Sequence, residues 1–247
     1  MASIAMLNDS SLIFYKVRRL FLSMTIDTIN SQIRSVTGLE LCNISCEKAY
    51  RRLFSGLSVS LSAGQCLRIL GSNGSGKTSL LKIIAGLSRD FEGVIHWQGD
   101  ERSQAFINKS ELLYLGHLTG VKASLTPVEN LSWWVSLCLP TYHLQHKDIC
   151  NALSQLGLGC ELNTPCHLLS AGQQRRVALA RLILSQQKVW ILDEPFTAID
   201  PLGISQVEHY IKQHQSDGGM AIITSHQIIH HVELLHLDLA DYQQGAK

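Results

Sequence analysis

Eight consecutive residues constrain this chain more than any others: Gly71-Ser72-Asn73-Gly74-Ser75-Gly76-Lys77-Thr78. They match the pattern G-x-x-x-x-G-K-[ST] in full. Upstream, Cys66 to Leu70 reads as a buried strand. Downstream, Leu80, Ile83, Ile84 and Leu87 recur at helical spacing and predict one apolar helix face. Strand, glycine-rich loop and helix, in that order, begin an α/β sheet. Glycines leave room for backbone N–H groups to close around phosphate oxygens. The helix N-terminus adds the positive end of its dipole. The loop therefore predicts a nucleoside triphosphate. Lys77 is expected at its β- and γ-phosphates, and Thr78 is expected to offer its hydroxyl to Mg²⁺. Ser79, next in the helix, completes the candidate nucleotide contacts.

A second apolar strand, Val189-Trp190-Ile191-Leu192, ends in Asp193-Glu194. Ligand-binding groups gather at the carboxyl ends of parallel strands. Adjacent strand residues point to opposite faces. Asp193 is thus expected to anchor the metal and Glu194 to act as general base on the attacking water.

The surrounding pattern alternates strands with helices. Leu57, Val59 and Leu61 have period two, and Ala63-Gly64 marks a turn. Val94 to Trp97, ending at Gly99, and Leu112 to Leu115 read as strands, as does Met220 to Thr224 after the turn Asp217-Gly218-Gly219. Thr126-Pro127-Val128-Glu129 is a capping box with proline at the first helical position. It opens a helix that turns Val128, Leu131, Val135 and Cys138 to one side and closes at Pro140. Ile149, Ala152, Leu153 and Leu156 predict another helix, stopped by Gly157. Residues 118–165 thus read as a helical insertion, with Trp133 and Trp134 expected in its core and a partner surface for one of them as the other reading.

Composition excludes several classes. Of 247 residues, 45% are hydrophobic and 17% charged, which rules out global disorder. A formal net charge of +1 argues against nucleic-acid binding through bulk charge. No uninterrupted apolar run reaches the roughly 18 residues of a membrane span; Leu12 to Ile26 is broken by Lys16, Arg18 and Arg19. The chain reads as cytosolic, reaching a membrane through a partner or its surface. Seven cysteines, with no C-x-x-C spacing, read as buried thiols rather than a metal site. Residues 1–38 carry no recognisable chemistry and read as a flexible extension. The other reading there is a basic, apolar helix, Leu12 to Arg19, on a membrane surface. Residues 39–247 read as one domain.

Three shorter segments complete the pattern. Leu169-Ser170-Ala171-Gly172-Gln173-Gln174 precedes a helix through Val177, Ala180 and Leu184, and Ser170 with Gln173 is by itself a capping box. Thr197-Ala198-Ile199-Asp200 precedes a helix begun by Pro201, which Asp200 can cap. His226 follows the strand Ala221 to Thr224.

Together these motifs resemble the ATP-binding subunits of ABC transporters. The resemblance implies a P-loop NTPase (RecA-like) core with a small antiparallel β subdomain and a helical subdomain at about 118–185. It makes Leu169 to Gln173 the signature, with Ala171 where Gly is usual. Ser170, Gly172 and Gln173 would then cap ATP held by the other copy of a head-to-tail homodimer. Asp200 takes the D-loop position and His226 that of the switch histidine at the γ-phosphate. His117 stands where the family has Gln. Tyr50 is the nearest aromatic to the adenine-stacking position.

One branch is closer still: the haem-exporter ATPase subunits of bacterial cytochrome c biogenesis. The carrying stretches are Leu112 to His117, Val121 to Leu131, Leu169 to Leu182 and Trp190 to Asp200. Leu118-Thr119 departs from the Gln-Pro usual there. The branch implies ATP hydrolysis, integral membrane permease subunits of a haem-handling complex, and a peripheral place on the cytoplasmic face of the bacterial inner membrane. Another cargo, or a soluble ABC-type ATPase acting on nucleic acid or ribosomes, are the alternative readings.

Overall fold

Every residue of β6 (Val189–Asp193) is buried, and its alternation divides the core in two. Val189 and Ile191 face one apolar cluster, Trp190 and Leu192 the other. In a computed structural model that describes residues 38–98, 111–139 and 144–243, β6 lies between β5 (Leu112–Leu115) and β7 (Met220–Thr224). Beyond β7 come β3 (Cys66–Leu70) and β8 (Leu235–Asp238). The order β5-β6-β7-β3-β8 is parallel throughout, with Asp193 in register with Thr224. Expectations for residues 1–37, Gly99 and Pro140 lie outside the described residues.

One face of this sheet packs on α1 (Lys77–Ile84) and on a three-stranded antiparallel sheet. That sheet has β1 (Gly38–Lys48) between β2 (Arg51–Ser62) and β4 (Glu92–Gln98). The other face packs on α2 (Pro127–Cys138), α3 (His146–Gln155), α4 (Ala171–Leu184) and α5 (Pro201–Ser216). No described helix is long and apolar enough to cross a membrane.

Local signals account for most boundaries. At α2 both arms of the capping box form: Glu129 N donates to Thr126 Oγ1 at 3.2 Å, and Thr126 N donates to Glu129 Oε2 at 2.8 Å. Thr126 N and, at 3.0 Å, Thr126 Oγ1 both donate to the Glu129 carboxylate, which stabilises its ionised form and lowers its pKa. At α1 the outcome differs from the periodicity. The helix ends at Ile84, and Gly86 takes φ 68°, so Leu87 stands outside it and 58% exposed. Leu81 is buried alongside Leu80, Ile83 and Ile84. The tryptophans also part company: Trp134 is buried at 7%, whereas Trp133 is 42% exposed with Lys122 Nζ 3.7 Å from its ring centre.

Candidate functional site

The loop from Gly71 to Gly76 joins β3 to α1 through backbone that only glycine adopts easily. Gly71, Gly74 and Gly76 have φ 144°, 79° and 107°. A Cβ on Gly71 would lie 2.6 Å from Ser75 Oγ, a buried hydroxyl with no partner. Lys77 folds over the loop, and its Nζ donates to Gly71 O at 2.8 Å and Ser72 O at 3.2 Å.

The strand end meets this loop directly. Thr78 Oγ1 donates to Asp193 Oδ2 at 2.9 Å, and Thr224 Oγ1 donates to Asp193 Oδ1 at 2.8 Å. Asp193 is thereby fixed from α1 and from β7. Glu194 does not continue the strand. Its φ of 50° lies in the left-handed region, and its N–H donates to Thr224 Oγ1 at 2.9 Å. Both carboxylates consequently line one cavity, where strict strand alternation would have separated them. Glu194 Oε2 accepts from His226 N at 3.4 Å. Its Oε1 lies 3.5 Å from His226 Nε2 and is buried without a hydrogen-bond partner. His226 Nε2 also approaches Asn73 Oδ1 at 3.1 Å and Lys77 Nζ at 3.4 Å.

The cavity holds about 470 Å³. Ser72, Asn73, Gly74, Gly76, Lys77, Thr78, Ser79, His117, Asp193, Glu194 and His226 line it. These residues converge from the carboxyl ends of β3, β5, β6 and β7, the loops that follow them and the first turn of α1. Arrangements of this kind, with hydroxyl, carboxylate and imidazole beside a nest of amides, suit phosphoryl transfer.

A family model described as ABC transporter matches residues 54–197. The chain belongs to the ABC transporter family. Relatives named cytochrome c biogenesis ATP-binding export protein CcmA match most of its length. That of Saccharophagus degradans is 42% identical, over 81% of this chain and 92% of the relative. That of Hahella chejuensis is 46% identical over 78% and 90%, and that of Escherichia coli K12 is 45% identical over 76% and 89%. Among solved structures, an ABC transporter ATP-binding protein of Pyrococcus furiosus superposes with a TM-score of 0.72 at 24% identity. It covers 84% of this chain and 100% of that one. The ATP-binding cassette MJ0796, in a dimeric post-hydrolysis state bound to ADP and Pi, gives 0.70 at 20% identity over 81% and 94%.

Within this ABC cassette the remaining predicted residues stand apart from the cavity. Gly71 and Ser75 are not among its lining residues. Ser170, Gly172, Gln173 and Asp200 are not among the lining residues. Ser170 caps α4: its Oγ accepts from Gln173 N at 3.2 Å, and its own N–H donates to Gln173 Oε1 at 2.9 Å. A Cβ on Gly172 would lie 2.7 Å from Ala198 O, so the backbone at Gly172 abuts the segment 197–200. Asp200 Oδ1 accepts from Gly203 N at 3.3 Å, capping α5, and from Arg176 at 2.6 Å. The Arg176 hydrogen bond pulls the Asp200 carboxyl below its ordinary pKa. Tyr50 stands at the exposed tip of the β1–β2 turn and does not line the cavity.

Three contributors escaped the sequence. Leu53 and Thr197 line the cavity, and Thr224 secures both Asp193 and Glu194. Thr224 closes an apolar strand and forms with Ser225 a hydroxyl pair just before His226 that could have marked it.

Proposed function

We propose that this ABC ATPase subunit drives a haem-handling membrane complex in the maturation of c-type cytochromes. One observation carries the chemistry: the phosphate loop is bonded to the strand-end carboxylate through Thr78 and Asp193, with Glu194 and His226 on the same cavity. In this reading the amides of residues 71–79 cradle the triphosphate. Lys77 exchanges its two carbonyl partners for phosphate oxygens, and His226 and His117 contact the γ-phosphate side.

Thr78 and Asp193 present hard oxygen donors beside the loop, the donor type that Mg²⁺ requires. Held there, Mg²⁺ would offset charge on the phosphates. Glu194 takes the proton of the attacking water. Its Oε1, shielded and without a hydrogen-bond partner, supports that role.

A second copy supplies the rest. Ser170, Gly172 and Gln173 of one copy close over the nucleotide of the other, and Asp200 lies at the contact between copies. The position of the signature outside its own cavity supports this head-to-tail homodimer. The described residues act as one ABC domain that begins with Gly38, the first residue of β1, one position before the boundary that the sequence predicts. The helical part, about 118–185, exposes Trp133 and Leu137 and takes the contact with integral membrane permease subunits. Those subunits hold the chain at the cytoplasmic face of the inner membrane. The near-neutral charge supports a reading without nucleic acid.

The test is Glu194→Gln. ATP binding and dimer accumulation should persist while turnover falls about 10²-fold or more, the scale of lost general-base catalysis. Undiminished phosphate release would remove Glu194 from that role. The haem reading predicts that a deletion strain loses its c-type cytochromes; normal cytochrome content would overturn it.

A further inference from the structure

We infer that Arg175 is the positioning residue of the hydrolytic site, holding the backbone of Glu194 and the loop of His117 in one frame. Its guanidinium is buried in the first turns of α4. All of its hydrogen bonds go to backbone carbonyls. NH2 donates to Glu194 O at 2.6 Å and Asp193 O at 3.1 Å, and Nε donates to Pro195 O at 3.4 Å. NH1 donates to Gly116 O at 3.1 Å and His117 O at 3.4 Å. These carbonyls belong to the segments that leave the neighbouring strands β5 and β6. One planar cation thus staples two strand ends together.

Burying such a charge is costly, and an apolar residue would fill the space more cheaply. The geometry points to what the cation does instead. Glu194 sits in left-handed backbone, and its peptide is fixed at both ends: N–H on Thr224 Oγ1, carbonyl on Arg175. The carboxylate itself has one long hydrogen bond, from His226 N at 3.4 Å. Its location is therefore set through the backbone. Arg175 also lies about 1.4 helical turns beyond Ser170, the residue that caps α4. A rigid helix start accordingly joins the signature to both Glu194 and His117. Lysine cannot reproduce this, because one ammonium lacks the fork that spans two segments.

The inference rests on the reading of Glu194 as general base, and the experiment separates the two. The full chain, co-purified with its membrane partners, is prepared as Arg175→Lys, Glu194→Gln and the double variant. Arg175→Lys should lower kcat by about ten- to a hundredfold, the scale of a misplaced reacting group. ATP affinity should stay within about twofold. On the Glu194→Gln background the same change should cost little further, because its main route runs through that carboxylate and only the hold on the His117 loop remains to be lost. Unchanged kcat, a parallel loss of ATP affinity, or a full additional loss in the double variant would overturn the inference. Lower thermal stability with normal turnover per folded subunit would do so too. Arg175→Gln gives the same comparison should lysine impair folding. Normal turnover in Glu194→Gln alone would instead remove the general-base reading.

Discussion

At Gly76 the chain enters α1 with φ 107°, and a Cβ there would lie 3.0 Å from Phe54 Cε1 and 3.2 Å from Leu53 Cβ. Phe54 is wholly buried and has little room to yield. Gly76→Ala should therefore cost about 1–3 kcal/mol from the left-handed backbone, with further loss from the contact. It should also weaken ATP binding, because the amides that follow are displaced. Urea unfolding and equilibrium nucleotide binding read the two effects; wild-type values in both would contradict the strain. Glu194 accepts similar backbone strain without glycine's freedom. Thr224 and the Arg175 guanidinium hold it there, and the carboxylate gains a place on the cavity that a regular strand would deny it.

The helices carry a different lesson, seen in Asn130. This residue is buried within α2, yet helical patterning alone would set a polar side chain toward water. Its Oδ1 accepts from Lys122 N at 2.8 Å, and its Nδ2 donates to Lys122 O at 3.0 Å and Thr126 O at 3.1 Å. Asn130 thus ties the segment preceding α2 to the helix. Asn130→Ala should take the acceptor from Lys122 N, while Lys122 O keeps Leu125 N and Thr126 O keeps Asn130 N, and cost about 0.5–1.5 kcal/mol, measured by denaturant midpoint at constant m. A change within error would mean that water replaces the amide. The neighbouring Trp133, exposed under Lys122, has no such burial to lose.

The stability of the whole molecule should depend on pH through His214. Its ring stacks on Trp190 at 3.8 Å, and burial lowers its pKa from 6.5 to about 4. The unfolded chain therefore binds this proton more readily than the folded one. His214 contributes stability that is present above about pH 6.5 and lost as pH falls towards 4. The melting temperature should drop across that window, and His214→Gln should flatten that slope at the expense of a lower plateau. An unaltered slope in the variant would assign acid sensitivity elsewhere. At the same scale, the phosphate loop and both carboxylates line a cavity that Ser170, Gly172 and Gln173 of the same chain do not.

Much of this was legible in adjacent residues. The loop 71–78, the Asp193-Glu194 pair and the caps at Thr126 and Ser170 are local patterns, because their chemistry depends on neighbours along the chain. Parallel strands were legible for the same reason, as short apolar runs between helices. Tertiary structure alone decided the contributions of Leu53, Thr197, Thr224 and Arg175. They reach the site from separate elements, and none has a spacing relative to Lys77 that chain order could reveal. It also decided that Glu194 leaves the strand's alternation. A backbone torsion held by hydrogen bonds from α4 and β7 exists only once those elements are packed together.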